Sequence, residues 1–416
     1  MITTTNRSGL ARSILVGLVA LLGAASAFRA LRPSWEVPLP TEANLPEERM
    51  QDFRDALYFP IREFLGGGNP YDPAVMFEHW PVRQNFNLYQ PYHLVLHLPF
   101  ALPEYRVGAV AFTLACLVLL VGLAVLAARG ARLPLVAGTV VVATLLVTSQ
   151  VGKAQLYIGQ VNPLIAVSVA GALLLRATHP GWASAALALA WLKPQFGLPL
   201  AVVLFVRGDR KVALLGTAAA AVASLPVAAL LVVRGGGAGE FLDVISRNLA
   251  WASQTGYGAV DSMAAQRVDL PAVFFRTTGW LPPGAELLAL CGVLAATALL
   301  ARRLDRTPDG SAVADVLTCL GIVVALVHQP GDVLIAVPAL VALAVLCWRR
   351  RAETAWRWAG CAALLLAVPF AHLYFVDTAV RSVFGARASV TLDGLAVVAA
   401  WAVLVVFAVR HGRRTA

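Results

Sequence analysis

The sequence predicts an all-α, polytopic integral membrane protein of about 12 transmembrane crossings with two long loops on the outer side. Three observations carry this prediction. Of the 416 residues, 59% are hydrophobic and 13% charged, against about 45–50% apolar and about 25% charged in soluble domains. Apolar stretches near the ~20 residues needed to cross a bilayer recur along the chain. Basic side chains collect on alternate connecting segments, as they do where topology is set by charge. This composition excludes a soluble enzyme, a disordered chain and a secreted disulfide scaffold.

The apolar stretches lie at roughly 13–31, 106–128, 133–149, 159–175, 212–233, 286–301, 314–328, 331–348, 355–375 and 389–409. The first follows Arg12 and precedes Ala-rich sequence, a partial signal-peptide pattern; a retained first span is the expectation. The stretch 180–206 is interrupted by Lys193-Pro194. Proline removes a helix hydrogen bond, and lysine is costly at the bilayer centre.

Charge decides how to count that stretch. One set of segments holds Arg7, Arg12, Arg129, Arg132, Arg176, Arg207, Arg210, Lys211, Arg302, Arg303, Arg306, Arg349, Arg350, Arg351, Arg357, Arg410, Arg413 and Arg414. These 18 basic residues face 5 acids, Asp209, Asp305, Asp309, Asp315 and Glu353, giving +13. The other segments carry 15 basic and 18 acidic residues, or −3, which together make the net +10. All strongly basic segments share a side only if 180–206 returns to the side it left. A reversal at Lys193, made of two short crossings, is therefore expected, with both termini cytoplasmic. The net charge belongs to membrane orientation, so no nucleic-acid partner is expected. Arginine far outnumbers Lys153, Lys193 and Lys211, as in GC-rich bacterial genomes, and the expected location is a bacterial plasma membrane.

The chain reads as one domain, 1–416. Its outer loops run over about 32–105 and about 234–285, too long for simple connectors. Both are rich in aromatics, among them Trp35, Trp80, Tyr92, Trp251 and Trp280, which suits structure lying at the headgroup level. The stretch 88–103 reads as embedded in the outer face. Cys116, Cys291, Cys319, Cys347 and Cys361 are scattered in or beside spans and read as small apolar filler.

Candidate chemistry sits at the outer side. Asp52 and Asp55 are three apart, so on an α-helix they share a face that Tyr58 and Arg62 continue, up to a stop at Gly66–Pro70. Two carboxylates so placed can supply a general base, each charge raising the other's pKa; the alternative is a solvated polar face. Gln160 and Asn162 can bond sugar hydroxyls or merely cap a helix. Lys193, at a helix break, suits a lipid phosphate or snorkels. His328, in the turn His328-Gln329-Pro330-Gly331-Asp332, can donate to phosphate or orient an acid, or is a solvated turn residue. Arg267 can grip phosphate bidentately, or pair internally with Asp269. His93 and His97 have the i, i+4 spacing of a zinc pair, but no third ligand is evident.

The order Asp52-Phe53, Tyr58, Gly67-Gly68-Asn69-Pro70-Tyr71-Asp72, Tyr89-Gln90-Pro91, Leu98-Pro99-Phe100, Gly159-Gln160-x-Asn162 and Leu192-Lys193-Pro194 resembles glycosyltransferase family 87 over about 50–335. The resemblance implies a GT-C-like membrane enzyme. Its donor is then a polyprenyl-phosphate sugar, usually mannose, and its acceptor a glycolipid or glycan on the outer face. An aspartate of the first outer loop is then the base. Asp52-Phe53 aligns best, while the distance to Asn69-Pro70-Tyr71 is a residue longer than expected, so the base is Asp52 or Asp55. Tyr58, Asn69, Tyr71, Gln160, Asn162, Lys193, Arg267 and His328 become substrate contacts, with Lys193 first among the partners of the leaving phosphate. His328 is similar to a histidine placed near the phosphate in this family. The second loop, with Asp261 and Gln266-Arg267-Val268-Asp269, departs from the family pattern and leaves the acceptor open. An inverting single displacement is expected, with no cofactor and no obligatory metal. Two readings from other classes stay open: a transporter or lipid-linked-sugar flippase, and a scaffold subunit of an envelope-assembly complex.

Overall fold

The computed structural model describes residues 4–41, 48–262, 266–307 and 309–412; Arg413 and Arg414 of the basic set lie outside them. The regular structure among these residues is helical throughout. Seven helices are long and apolar enough to cross a membrane: Gly9–Glu36, Tyr105–Gly130, Arg210–Arg234, Ala285–Leu304, Pro330–Arg349, Thr354–Ala371 and Ala386–His411. An eighth span is formed if Leu135–Thr148 and Gln150–Ile158, bent by 66°, count as one.

The remaining apolar stretches are helical but short. Asn162–Leu175, Pro194–Arg207 and Gly310–Ala325 have 14, 14 and 16 residues, and Pro180–Ala190 has 11. At 1.5 Å per residue the last reaches only ~16 Å of a ~30 Å layer. Every apolar stretch read from the sequence is therefore a helix, but twelve full crossings do not follow. Prolines at the starts of Asn162–Leu175, Pro180–Ala190 and Pro194–Arg207 shorten the helices that hydropathy runs together.

The reversal at Lys193 is present. Pro180–Ala190 ends one way, Lys193 is extended, and Pro194–Arg207 leads back to a left-handed Gly208. An ion cluster fixes both feet. Arg207 donates to Asp305 and Asp315 at 2.7 and 2.8 Å and to Thr318 at 3.0 Å. Arg176 reaches the same two aspartates at 3.2 and 3.1 Å, and Asp209 at 3.3 Å. Arg176 precedes the reversal and Arg207 ends it, so the segment starts and finishes at one end of the bundle.

Between apolar helices in lipid, association rests on close packing and interhelical hydrogen bonds, because lipid tails solvate leucine as well as protein does. The first helix uses both. Thr144 Oγ1 donates to the Val19 carbonyl at 3.0 Å, and Gly23 faces Thr144 so closely that a Cβ there would lie 2.4 Å from the hydroxyl oxygen.

The loops fold at the other end. The first contains the π-helix Phe53–Tyr58, the helices Phe59–Leu65 and Pro73–His79, and the four-residue helices His93–Leu96 and Leu98–Ala101. The helix begun at Asp52 stops at Gly66, within the expected stop. The second loop supplies Ala238–Gln254 and Leu270–Thr278. Asn248 clamps the two loops together: its Oδ1 accepts from Asn87 N–H at 3.0 Å and its Nδ2 donates to the Asn87 carbonyl at 2.7 Å.

Candidate active site

Where the loops meet the helix ends lies a cavity of about 420 Å³, lined by residues that include Asp52, Gln160, Lys193, His328, Asp332 and Tyr257. Local structure explains why these converge. Asp52 stands at the N-cap of the π-helix, a form closed by wider i→i+5 turns and frequent at functional sites. Asp52 lines the cavity while Asp55, not among its lining residues, is held by Arg54 instead, so the shared face expected of an α-helix is not what this wider turn presents. Gly159, at φ +76°, ends the helix Gln150–Ile158 and packs on this turn; a Cβ there would sit 2.7 Å from Phe53 Cβ. The next residue, Gln160, lines the same cavity as Asp52.

From Gln160 a chain of amides leads to the cation. Asn162 Nδ2 donates to Gln160 Oε1 at 2.6 Å and to Asp332 Oδ1 at 2.8 Å. Lys193 Nζ donates to Asn162 Oδ1 at 2.8 Å and lies 5.4 Å from the centre of the Tyr89 ring. The Tyr71 hydroxyl in turn donates to the Tyr89 carbonyl at 2.8 Å. Asp332 also accepts from Gln329 N–H at 2.9 Å, closing the turn that carries His328. Burial pushes the Asp52 carboxyl above the ordinary carboxylate range and Asp332 pushes the same way, while Lys193, Gln160 and Arg54 oppose.

His328 is buried, with Nδ1 3.1 Å from the Leu326 carbonyl. A carbonyl can only accept, so Nδ1 carries the proton. Burial holds the imidazole pKa below its usual value, leaving a neutral ring whose Nε2 is an acceptor. Among the described residues Nε2 has no partner. Phe196 packs edge-on against the ring at 4.6 Å.

Other sequence candidates have structural partners. Asp55 is buried and accepts from Arg54 Nε at 2.6 Å, Arg54 Nη2 at 3.0 Å, and the backbone N–H groups of Arg83 and Gln84 at 3.2 and 2.9 Å. Arg267 forks onto Asp269, with both N–O distances 2.8 Å, and reaches Glu286 at 3.0 Å; the internal pairing open in the sequence is present. The neighbouring Val268 N–H donates to the His328 carbonyl at 2.9 Å, so this loop braces the histidine turn. Tyr58 donates to the Pro103 carbonyl at 3.2 Å, and Asn69 Oδ1 accepts from Tyr71 N–H at 3.0 Å. His93 Nε2 accepts from the Asn87 amide at 3.1 Å, and His97 Nδ1 donates to the His93 carbonyl at 3.1 Å.

Sequence reading missed Asp332, Gln51 and Tyr257 as cavity residues. A signal existed for Asp332: Gln329 and Asp332 form a capping box ahead of an apolar run. None existed for Gln51, whose amide donates to the Tyr257 hydroxyl at 3.3 Å across the two loops.

The fold and the cavity define a multi-pass membrane protein whose polar site is roofed by the loops between its spans. The chain belongs to glycosyltransferase family 87, whose model matches residues 87–330, and it is a membrane glycosyltransferase. That segment carries Tyr89, Gln160, Asn162, Lys193 and His328; Asp52 and Asp55 precede it. No curated protein matches the chain. Among solved structures it is similar to ArnT from Cupriavidus metallidurans bound to undecaprenyl phosphate, with 16% identity and a TM-score of 0.42, over 94% of this chain and 77% of that one.

Proposed function

We propose that the protein transfers one hexose, mannose, from a polyprenyl-phosphate sugar to a hydroxyl of a glycolipid or glycan acceptor, with inversion, on the outer face of a bacterial plasma membrane. The observation that carries this reading is that Asp52 and Lys193 line one cavity, whose lining also includes Gln160 at the end of the amide row that Lys193 and Asn162 begin. Asp52 takes the proton of the acceptor hydroxyl. The oxygen attacks the anomeric carbon, and the bond from that carbon to the phosphate oxygen breaks. The electron pair leaves with the polyprenyl phosphate, whose charge Lys193 meets where it develops. The leaving group departs as a lipid phosphate paired with an ammonium, so the step calls for no metal.

The remaining residues take supporting roles. His328 presents an acceptor nitrogen, so we assign it to a substrate hydroxyl rather than to the phosphate. Asp55 holds the backbone at Arg83 and Gln84 beside the cavity, and Arg267 holds the second loop. Tyr71 positions Tyr89 under Lys193.

The test is to incubate the purified protein with polyprenyl-phosphomannose and membrane glycolipids and look for acceptor heavier by one hexose. Donor that changes leaflet in proteoliposomes with no bond formed would overturn the reading in favour of a flippase.

A further inference from the structure

At the end of the bundle away from Asp332, the helices Val337–Arg349 and Thr354–Leu366 part to leave a groove of about 580 Å³. Its wall is apolar and includes Leu340, Ala344, Gly360 and Leu364. Its mouth is cationic and aromatic, formed with Trp348, Arg351 and Arg357. Arg351 stacks 4.7 Å from the centre of the exposed Trp348 ring and donates to the Trp348 carbonyl at 2.8 Å. Arg350, next in line, is neutralised by Asp309 and Glu353. Among the described residues, no acidic side chain pairs with Arg351 or Arg357.

We propose that this groove binds an anionic phospholipid, with an acyl chain along the helices and the phosphate on Arg351 and Arg357. The apolar wall suits a hydrocarbon chain, and the side chains of Leu340 and Ala344 continue the lipid-facing surface of their helix. Guanidinium forks match phosphate oxygens. Tryptophan marks the headgroup level, where a phosphate lies. Basic pockets between spans are the recurring form of anionic-lipid recognition. A zwitterionic lipid brings its own ammonium beside the phosphate and leaves the two cations only partly compensated, which is why the charge at the mouth selects a lipid of net negative charge. This site is independent of the glycosyl-transfer reading.

The experiment is native mass spectrometry of the full chain released from detergent with added phosphatidylglycerol or phosphatidylcholine. One phosphatidylglycerol is expected to stay bound, in preference to phosphatidylcholine. The double variant R351Q/R357Q retains it roughly 30-fold less. Gly360→Leu, which fills the groove and keeps both arginines, also loses it. Equal retention of the two lipids by the native chain overturns the proposal even where a variant fails to fold. So does undiminished retention by a folded double variant, or competition by inorganic phosphate at the same concentration, which would mean that the acyl chain contributes nothing.

Discussion

Lys193 donates to Asn162 Oδ1 at 2.8 Å while Asn162 Nδ2 donates to Asp332 Oδ1 at the same distance. The ammonium therefore stands one amide away from a carboxylate rather than against it. A direct pair would spend the cation on Asp332; the intervening amide fixes its position and leaves charge to meet an incoming anion. Replacing Lys193 with Met is expected to lower kcat/KM on the order of 10²-fold, the scale for losing one donor where charge develops. An unchanged rate with the lipid-linked donor would remove Lys193 from the phosphate.

Asp52 and Asp55 separate by what each variant loses. Asp52→Asn is expected to keep the fold and lose 10²- to 10⁴-fold in kcat, the usual worth of a general base. Asp55→Asn removes the buried carboxylate on which two Arg54 donors and the Arg83 and Gln84 N–H groups converge, and costs on the order of 3 kcal/mol of stability. Thermal unfolding of both, beside single-turnover rates, distinguishes them. A stable, inactive Asp55→Asn protein together with an active Asp52→Asn one exchanges the two roles.

The pH dependence follows from the raised Asp52 pKa. A base works deprotonated, so kcat/KM should fall as pH drops through a value above the ordinary carboxylate range of about 4. Asp332 contributes to that elevation. Asp332→Asn removes its charge while keeping an oxygen for the Asn162 amide, and should move the acid limb of the profile to lower pH. A limb that moves upward or stays fixed assigns it to another group.

Gly159→Ala tests the packing under the base. The added methyl meets Phe53 Cβ at 2.7 Å and Met50 Cε at 3.0 Å, on top of the cost of φ +76°. Gly279, at φ +77° with open space around it, is the control for the backbone cost alone. That cost is about 1–2 kcal/mol in either variant. Only Gly159→Ala is expected to lose activity at least tenfold, by pushing Phe53 and with it the neighbouring Asp52 out of place. Equal losses would mean that strain, not contact, decides.

Orientation is tested with fused reporters. Alkaline phosphatase placed after Gly235, at the start of the second loop, should be active, and placed after Gly412 it should be silent. The reverse pattern inverts the assigned sides.

Much of this architecture is legible in the sequence because it is written in charge and hydropathy. The reversal at Lys193 follows from where Arg176 and Arg207 had to lie, and both arginines do share Asp305 and Asp315. The number of full crossings was not legible, since hydropathy registers apolar character and not where a proline starts a short helix. Asp52 and Asp55 could not be told apart either. A π-turn has no local sequence mark, and only that turn points one toward the cavity and the other toward Arg54. Arg267 was ambiguous because a guanidinium set to grip phosphate and one held by Asp269 have the same spacing on paper.

The ion cluster at the feet of the reversal also acts as a ruler. The helix Pro194–Arg207 has 14 residues, so it lifts Lys193 about 21 Å above Arg207. With the cluster taken as the inner edge of a ~30 Å hydrocarbon layer, the Lys193 backbone stops roughly 9 Å short of the outer edge. A lysine stem extends several ångströms further. The cation is thus held a little below the headgroup level, so a membrane-bound donor that arrives by sideways diffusion meets it by dipping its phosphate a few ångströms inward, without being drawn out of its leaflet.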